Sequence, residues 1–197
     1  MNYFQTLPKL IVRDKQTSQI TTNILTRVNI ISTLLENPLI FYSYDIQDSD
    51  TPEIIAHKYY GSVDRFWMVL FSNEMLDPQW DWPLTNKVFD SYMNAKYTPT
   101  EQEALHHYEK TVTNTTLPEG IITSETFTIS EEEYDSLVES SETYSTITGD
   151  VNITISKNVV NNYTYEYNLN ESKRKIKLLN KSYATRLETE FTKLMNP

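Results

Sequence analysis

The sequence predicts an α+β fold: a small strand–helix–helix module with an added third helix, an N-terminal arm, and a C-terminal β-hairpin plus helix. Three stretches predict it. "PLIFYSYDI", starting at Pro38, is dense in β-formers and reads as a strand. "TPEIIAHKYYGSVDRFWMVLFSN", starting at Thr51, holds two helical periodicities separated by Gly61. "NNYTYEYNLNESKRKIKLL", starting at Asn161, alternates through Tyr163, Tyr165 and Tyr167, turns at Asn168–Ser172, and alternates again through Ile176 and Leu178. That is a hairpin pattern. The chain divides accordingly into residues 1–37, 38–97, 98–162 and 163–197.

The arm, 1–37, carries two apolar strips, "KLIV" and "ITTNILTRVNIISTLLEN". Ile24, Val28, Ile31 and Leu35 recur at helical spacing until Asn37 and Pro38 end the run. In the module, Asp50 or Thr51 caps the first helix, Pro52 sits in its first turn, and Glu53 completes a capping box if Asp50 is the cap. Ile55 and Tyr59, one turn apart, can share a buried face, with Tyr60 beside them. Gly61 supplies a left-handed cap, as one of only 3 glycines in the chain.

Ser62 is placed to cap the second helix, whose stripe is Val63, Phe66, Trp67 and Leu70. Met68, Val69 and Phe71 make that helix apolar almost all round, so it needs cover on several sides. One strand and a short helix cannot supply it. The arm, the last part or a partner chain must.

"DPQWDWPLT", Asp77–Thr85, reads as an aromatic loop, and Thr85 caps a third helix carrying Val88, Phe89, Tyr92 and Met93. Residues 98–162 are acidic and rich in Ser and Thr, with short strand-like islands at "IIT" and "FTIS", and read as an extended excursion. After the hairpin, a final helix starts at Ser182 with Tyr183, Leu187, Phe191 and Leu194 on one face. With Ile176 and Leu178 it offers a second interaction element, separable from the module.

The formal net charge of -10 argues against general nucleic-acid binding, which depends on neutralising phosphates. No Lys or Arg occurs between Lys110 and Lys157, whereas the tail from Glu171 is basic. With no cysteine, disulfide and thiolate sites are absent. The first residues lack a signal-peptide pattern and no stretch approaches a membrane span, so cytoplasmic synthesis is expected. Aromatics reach 12% with 14 Tyr, and Tyr and Trp are enriched at protein interfaces.

Catalytic motifs are missing. HExxH, GxSxG, Walker A and GxGxxG do not occur, and His106 and His107, adjacent on a strand, should point to opposite faces. No metal or cofactor is expected. Asp77 and Asp81 flank Trp80 and Trp82, an arrangement known from carbohydrate sites. Asp-Pro also opens turns and Asp can cap a loop, which accounts for both acids without chemistry. No enzyme is expected. The residues singled out as interface or structural anchors are Tyr60, Gly61, Trp67, Asp77, Trp80, Asp81, Trp82, Leu187 and Phe191.

"YDIQDSDTPEIIAHKYYGSVDRFWMVLFSNEMLDP" resembles a LysM module, a small strand–helix–helix–strand fold. "DWPLTNKVFDSYMNAKY" departs from it by reading as a helix where the second strand belongs. The larger pattern is similar to the baseplate wedge protein 53 family of contractile-tailed, T4-like bacteriophages. It rests on "YYGS…W…N…DP…DWP", the "KY" closing the third helix, "NESKRKIKLLNKSYATRLETEFTKLM", and "YFQTLPKLIV" with "ITTNILTRVNI" near the start. It covers most of 1–110 and 163–197, and no likeness is seen in 111–160.

The resemblance implies a LysM-like domain and a structural protein of the virion tail baseplate, assembled in the host cytoplasm. It implies multiple copies in a symmetric assembly, joining wedges through wedge core proteins and a sheath-initiator-like protein. No catalytic residues or cofactor come with it, and neither nucleic acid nor membrane is among the partners. The alternative is a LysM-type glycan-binding module of a wall-degrading apparatus.

Overall fold

The computed structural model describes residues 3–13, 17–26, 39–117, 119–147 and 149–195. In chain order the elements begin α1 Tyr3–Thr6, β1 Lys9–Arg13, β2 Ser18–Thr22 and β3 Phe41–Asp45. Next come α2 Pro52–Tyr60, a 3-10 turn Val63–Arg65, α3 Phe66–Ser72, α4 Pro78–Asp81, α5 Asn86–Lys96 and α6 Pro99–Glu103. Then follow β4 Leu105–Leu117, β5 Ile121–Ile129, α7 Glu131–Ser136, β6 Ser140–Thr146 and β7 Gly149–Asn161. The chain closes with α8 Asn162–Ser172, β8 Lys175–Leu179 and α9 Lys181–Met195. The fold is α+β, in two compact units: the chain up to Asn86 with the chain from Asn170, and Lys87–Leu169.

The first unit is built on β3 and β8, which pair antiparallel with Tyr44 opposite Ile176 and Tyr42 opposite Leu178. Thr51 caps α2 by accepting from the Ile54 N–H, so Thr51 rather than Asp50 is the cap and Glu53 closes no box with Asp50. Gly61 ends α2 at φ 74°, the left-handed region that glycine enters without steric cost. Ser62 precedes the 3-10 turn but makes no side-chain cap.

α3 is covered by its own chain. Met68 and Val69 are 0% exposed and Trp67 is 2%. Leu7, Ile176, Leu178, Leu179, Phe191 and Met195 share their core. Trp67 lies against Phe191 at 5.1 Å and Tyr3 at 5.8 Å, and Tyr3 stacks on Phe191 at 5.2 Å. The apolar surplus of α3 therefore meets the arm and the tail of the same unit.

Three expectations are corrected here. Residues 163–172 form helix α8, not the first strand of a hairpin. Tyr163 and Tyr167 are one turn apart and stack at 6.3 Å with Phe89 edge-on to both rings, so the Tyr alternation fits a helix face equally well. Asn161 fixes the start by accepting from the Thr164 N–H. The tail is also not separable: β8 and α9 complete the core of the first unit. On α9 the buried residues are Ala184, Phe191 and Met195 with Leu187 half-buried, whereas Tyr183 and Leu194 are exposed. Asn180 rather than Ser182 caps it, accepting from the Ser182 N–H.

The third expectation concerns 98–162. Instead of short islands, β4 and β7 are 13 residues each and form the centre of a four-stranded antiparallel sheet ordered β5–β4–β7–β6. The helical spacing at Val28–Leu35 lies outside the described residues. Before it, the arm forms the β1–β2 hairpin, with Ile11 paired to Ile20.

Phe191→Ala should destabilise the first unit by about 3–4 kcal/mol, because a buried aromatic leaves a cavity. Leu194→Ala, at an exposed position, should stay within about 0.5 kcal/mol. Urea unfolding of the two variants measures the contrast.

Candidate functional site

The residues singled out by sequence fall into three groups. Tyr60, Trp67 and Phe191 are buried in the core of the first unit, Leu187 packs against that core, and Gly61 ends α2. The Tyr60 hydroxyl donates to the Leu179 carbonyl at 2.9 Å and joins α2 to β8. Burial pushes that phenol well above its ordinary range. Arg65 forks onto Glu188 of α9 at 2.9 Å through both Nε and Nη2, and also donates to the Tyr60 carbonyl.

Asp77, Asp81 and Trp82 hold the loop. Asp77 caps α4 by accepting from the Gln79 N–H, and Asp81 accepts from the N–H groups of Leu76 and Asp77. The two carboxylates are thus engaged by backbone donors. Trp82, half-buried, donates its indole N–H to the Asp50 carbonyl at 3.1 Å. Trp80 is 67% exposed, and its neighbour Asp81 lines a cleft of ≈ 320 Å³ together with Asn73, Glu74, Lys173 and Lys175. Lys173 donates to the Trp80 carbonyl.

Sequence reasoning missed the polar centre of this unit. Asp50 is buried and accepts from the Tyr44 hydroxyl at 2.7 Å, the Gln47 N–H at 3.1 Å and Lys58 Nζ at 2.6 Å. Burial works against its charge, and the Lys58, Tyr44 and Gln47 donors outweigh it, holding the carboxyl below the ordinary aspartate value. Burial and the Asp50 carboxylate push the Tyr44 phenol up to about 12. Asn73 clasps β8: its amide donates to the Val69 and Lys177 carbonyls, and its oxygen accepts from the Lys177 N–H.

In the second unit the corresponding centre is Glu166, bound by Lys96 at 2.6 Å, Tyr92 at 3.1 Å and Tyr97 at 3.2 Å. Burial opposes its charge too, and Lys96 and the hydroxyls lower the carboxyl nonetheless. A bulge at His106 overturns the expectation that its ring and that of His107 diverge. Their Nδ1 atoms lie 2.7 Å apart, His107 reaches Glu109, and His106 stacks on Tyr165 at 3.9 Å. No cluster of three or more His, Cys, Asp or Glu able to hold a metal occurs among the described residues.

The remaining features are surfaces. The β1–β2 hairpin exposes Leu10, Ile11, Val12 and Ile20. The four-stranded sheet buries only Val160 among its described residues and exposes Ile121, Ile122, Phe127 and Tyr144. Exposed apolar surface of this kind is common at interaction sites.

The family model for base plate wedge protein 53 matches residues 5–194, running through the stretch 111–160 where the motifs show no likeness. The chain belongs to that family. No curated protein matches it. As a base plate wedge protein it is a structural component of the phage tail base plate, part of the virion, and it contacts other base plate components in a multi-copy assembly. The family is not known for enzyme activity.

A carboxyl with a lowered folded-state pKa contributes stability that is complete above its unfolded value and is lost as pH falls through the folded one. The wild type should therefore weaken as pH falls below about 4. Asp50→Asn should cost about 1–3 kcal/mol at pH 7 and flatten part of that acid slope. Urea melts from neutral to acid pH measure both; parallel curves would remove Asp50 from this role.

Proposed function

We propose that the protein joins neighbouring wedges of the base plate by holding two different surfaces at once. The observation that carries this reading is that exposed apolar residues occur on both compact units. In the first they are Ile11 and Ile20 of the hairpin; in the second, Ile121 and Phe127 of the sheet. A lone two-stranded hairpin is marginal in water, so the arm gains its order from what it binds. A joint needs at least two contacts that do not overlap. The family resemblance supplies the partners proposed for them: wedge core proteins and a sheath-initiator-like protein, met during assembly in the host cytoplasm.

Trp80 belongs to the same reading. It is a large exposed aromatic on a loop held by Asp77, Asp81 and Lys173, the kind of rigid anchor that dominates interfaces. A glycan-binding role is the second reading, because Asp81, next to the exposed Trp80, lines a polar cleft. The protein's likeness to LysM modules rests on the stretch from Tyr44 to Pro78.

The test combines assembly with sugar titration. Trp80→Ala should leave unfolding within about 0.5 kcal/mol. It should weaken wedge association about thirtyfold, the equivalent of about 2 kcal/mol. Ile11→Glu and Phe127→Glu should each block the joining of purified wedges while leaving the protein bound through its other surface. Asp77→Asn and Asp81→Asn should assemble normally. Saturable binding of chito-oligosaccharide, lost in Trp80→Ala while wedges still join, would replace the joint by the glycan reading.

A further inference from the structure

The two faces of the four-stranded sheet differ in kind. On one, Thr111 meets Thr126, Thr113 meets Ser124, and Ser141 meets Thr154 through hydroxyl contacts of 3.1–3.2 Å. The strand register sets the other face. Glu125, Val112, Ile155 and Ser140 form one row across it. Thr123, Asn114, Ile153 and Glu142 form the next, and Ile121, Thr116, Val151 and Tyr144 the third. An apolar middle therefore lies between a glutamate on each edge strand.

Further along the same face, a helix is already seated. Tyr134 of α7 packs on Tyr108 at 4.6 Å, Lys157 donates to the Tyr134 carbonyl, and Lys110 pairs with Glu133. There the sheet supplies cations and the helix supplies anions. In the three open rows the polarity is reversed: Glu125 and Glu142 remain anionic rims, and no Lys or Arg occurs from Thr111 to Ser156. Glu142 also accepts from the Tyr144 hydroxyl, which orients it on the face.

We propose that these open rows dock an amphipathic helix of another base plate protein, apolar along one stripe and flanked by lysine or arginine. The proposal rests on the reading of this sheet as a contact surface and names the chemistry of its occupant. At strand spacings the open area is about 20 Å by 20 Å, which accommodates about 13 residues of helix. That is about 400 Å² per partner, half of the about 800 Å² that standard protein pairs use, an area suited to one helix and not to a second folded copy of this chain. Like charges at Glu125 and Glu142 oppose self-pairing as well. A helix brings complementary charge, and its other contacts lie elsewhere in the assembly.

The test uses the full-length protein and three labelled 14-residue helical peptides, followed by fluorescence anisotropy at physiological salt. One carries a leucine stripe flanked by lysines, one the same stripe flanked by glutamates, and one the lysine composition with the leucines scattered. The first should bind saturably and the other two at least tenfold more weakly. Glu125→Lys with Glu142→Lys should invert the preference between the first two, while Leu194→Glu, at an exposed position of α9, should change nothing. Absence of binding, equal binding of all three peptides, or a lysine preference that survives the double reversal would overturn the proposal. The titration contains no other base plate component. Its failure therefore leaves wedge joining intact, and a failed joining assay leaves the titration standing.

Discussion

The structure depends on covering α3. A helix apolar on nearly every side must be enclosed, and Met68, Val69 and Trp67 are enclosed here by segments from opposite ends of the sequence. Tyr3 and Leu7 come from the start, and β8, Phe191 and Met195 from the end. This requirement sets the order of the chain. β3 finds its partner strand only after more than a hundred intervening residues, so the closure of that long loop must be offset by burial once β8 arrives. Asn170 secures the crossing point, accepting from the Leu84 N–H at 2.7 Å and donating to the Leu84 carbonyl at 3.1 Å. The second unit is thereby an insertion whose two chain crossings are tied together at their base.

Polar groups complete what the apolar core begins. Asp50, Asn73 and the Arg65–Glu188 fork each join pieces that are distant in sequence or separated by a turn. Buried charge is costly unless every acceptor is served, and Asp50 has donors on both oxygens. These contacts contribute less as raw stability than as alignment: they fix where α2, α3 and α9 sit on the β3–β8 pair. The acids of the aromatic loop do the same for α4. Asp77 and Asp81 look like a catalytic pair in sequence, but in space each has one oxygen held by backbone N–H groups and supports a turn.

The α+β class, the strand at Phe41–Asp45 and the helix–glycine–helix corner were legible because each is specified locally, by β-formers, a Thr-Pro start and a left-handed glycine. The final helix was legible from its periodicity, but its face was misjudged by including Tyr183 and Leu194 and omitting Ala184 and Met195. α8 was misread because three tyrosines at alternate positions satisfy a strand and a helix equally over so short a span. Only the contacts of Phe89, Lys96 and His106 decide between them. The strict alternation of Val151, Ile153 and Ile155 with Asn152, Thr154 and Ser156 could have revealed β7, had the high Ser and Thr content not suggested a loop. Asp50 and Glu166 had no local signal at all, since a buried carboxylate is defined by partners brought from elsewhere in the fold.

What remains after the core is accounted for falls where an assembly protein needs it. Within the first unit the apolar helix is satisfied internally. The hairpin and the sheet follow the opposite logic. Both have regular hydrogen-bonded pairing and side-chain alternation, yet neither encloses its apolar positions. Local order without a core is stable only when neighbouring chains finish the burial. In a base plate those neighbours are always present, and the family to which the chain belongs places it among them. On the proposed reading, exposed Ile11, Ile20, Ile121 and Phe127 are the parts of a larger core that this chain contributes to its surroundings.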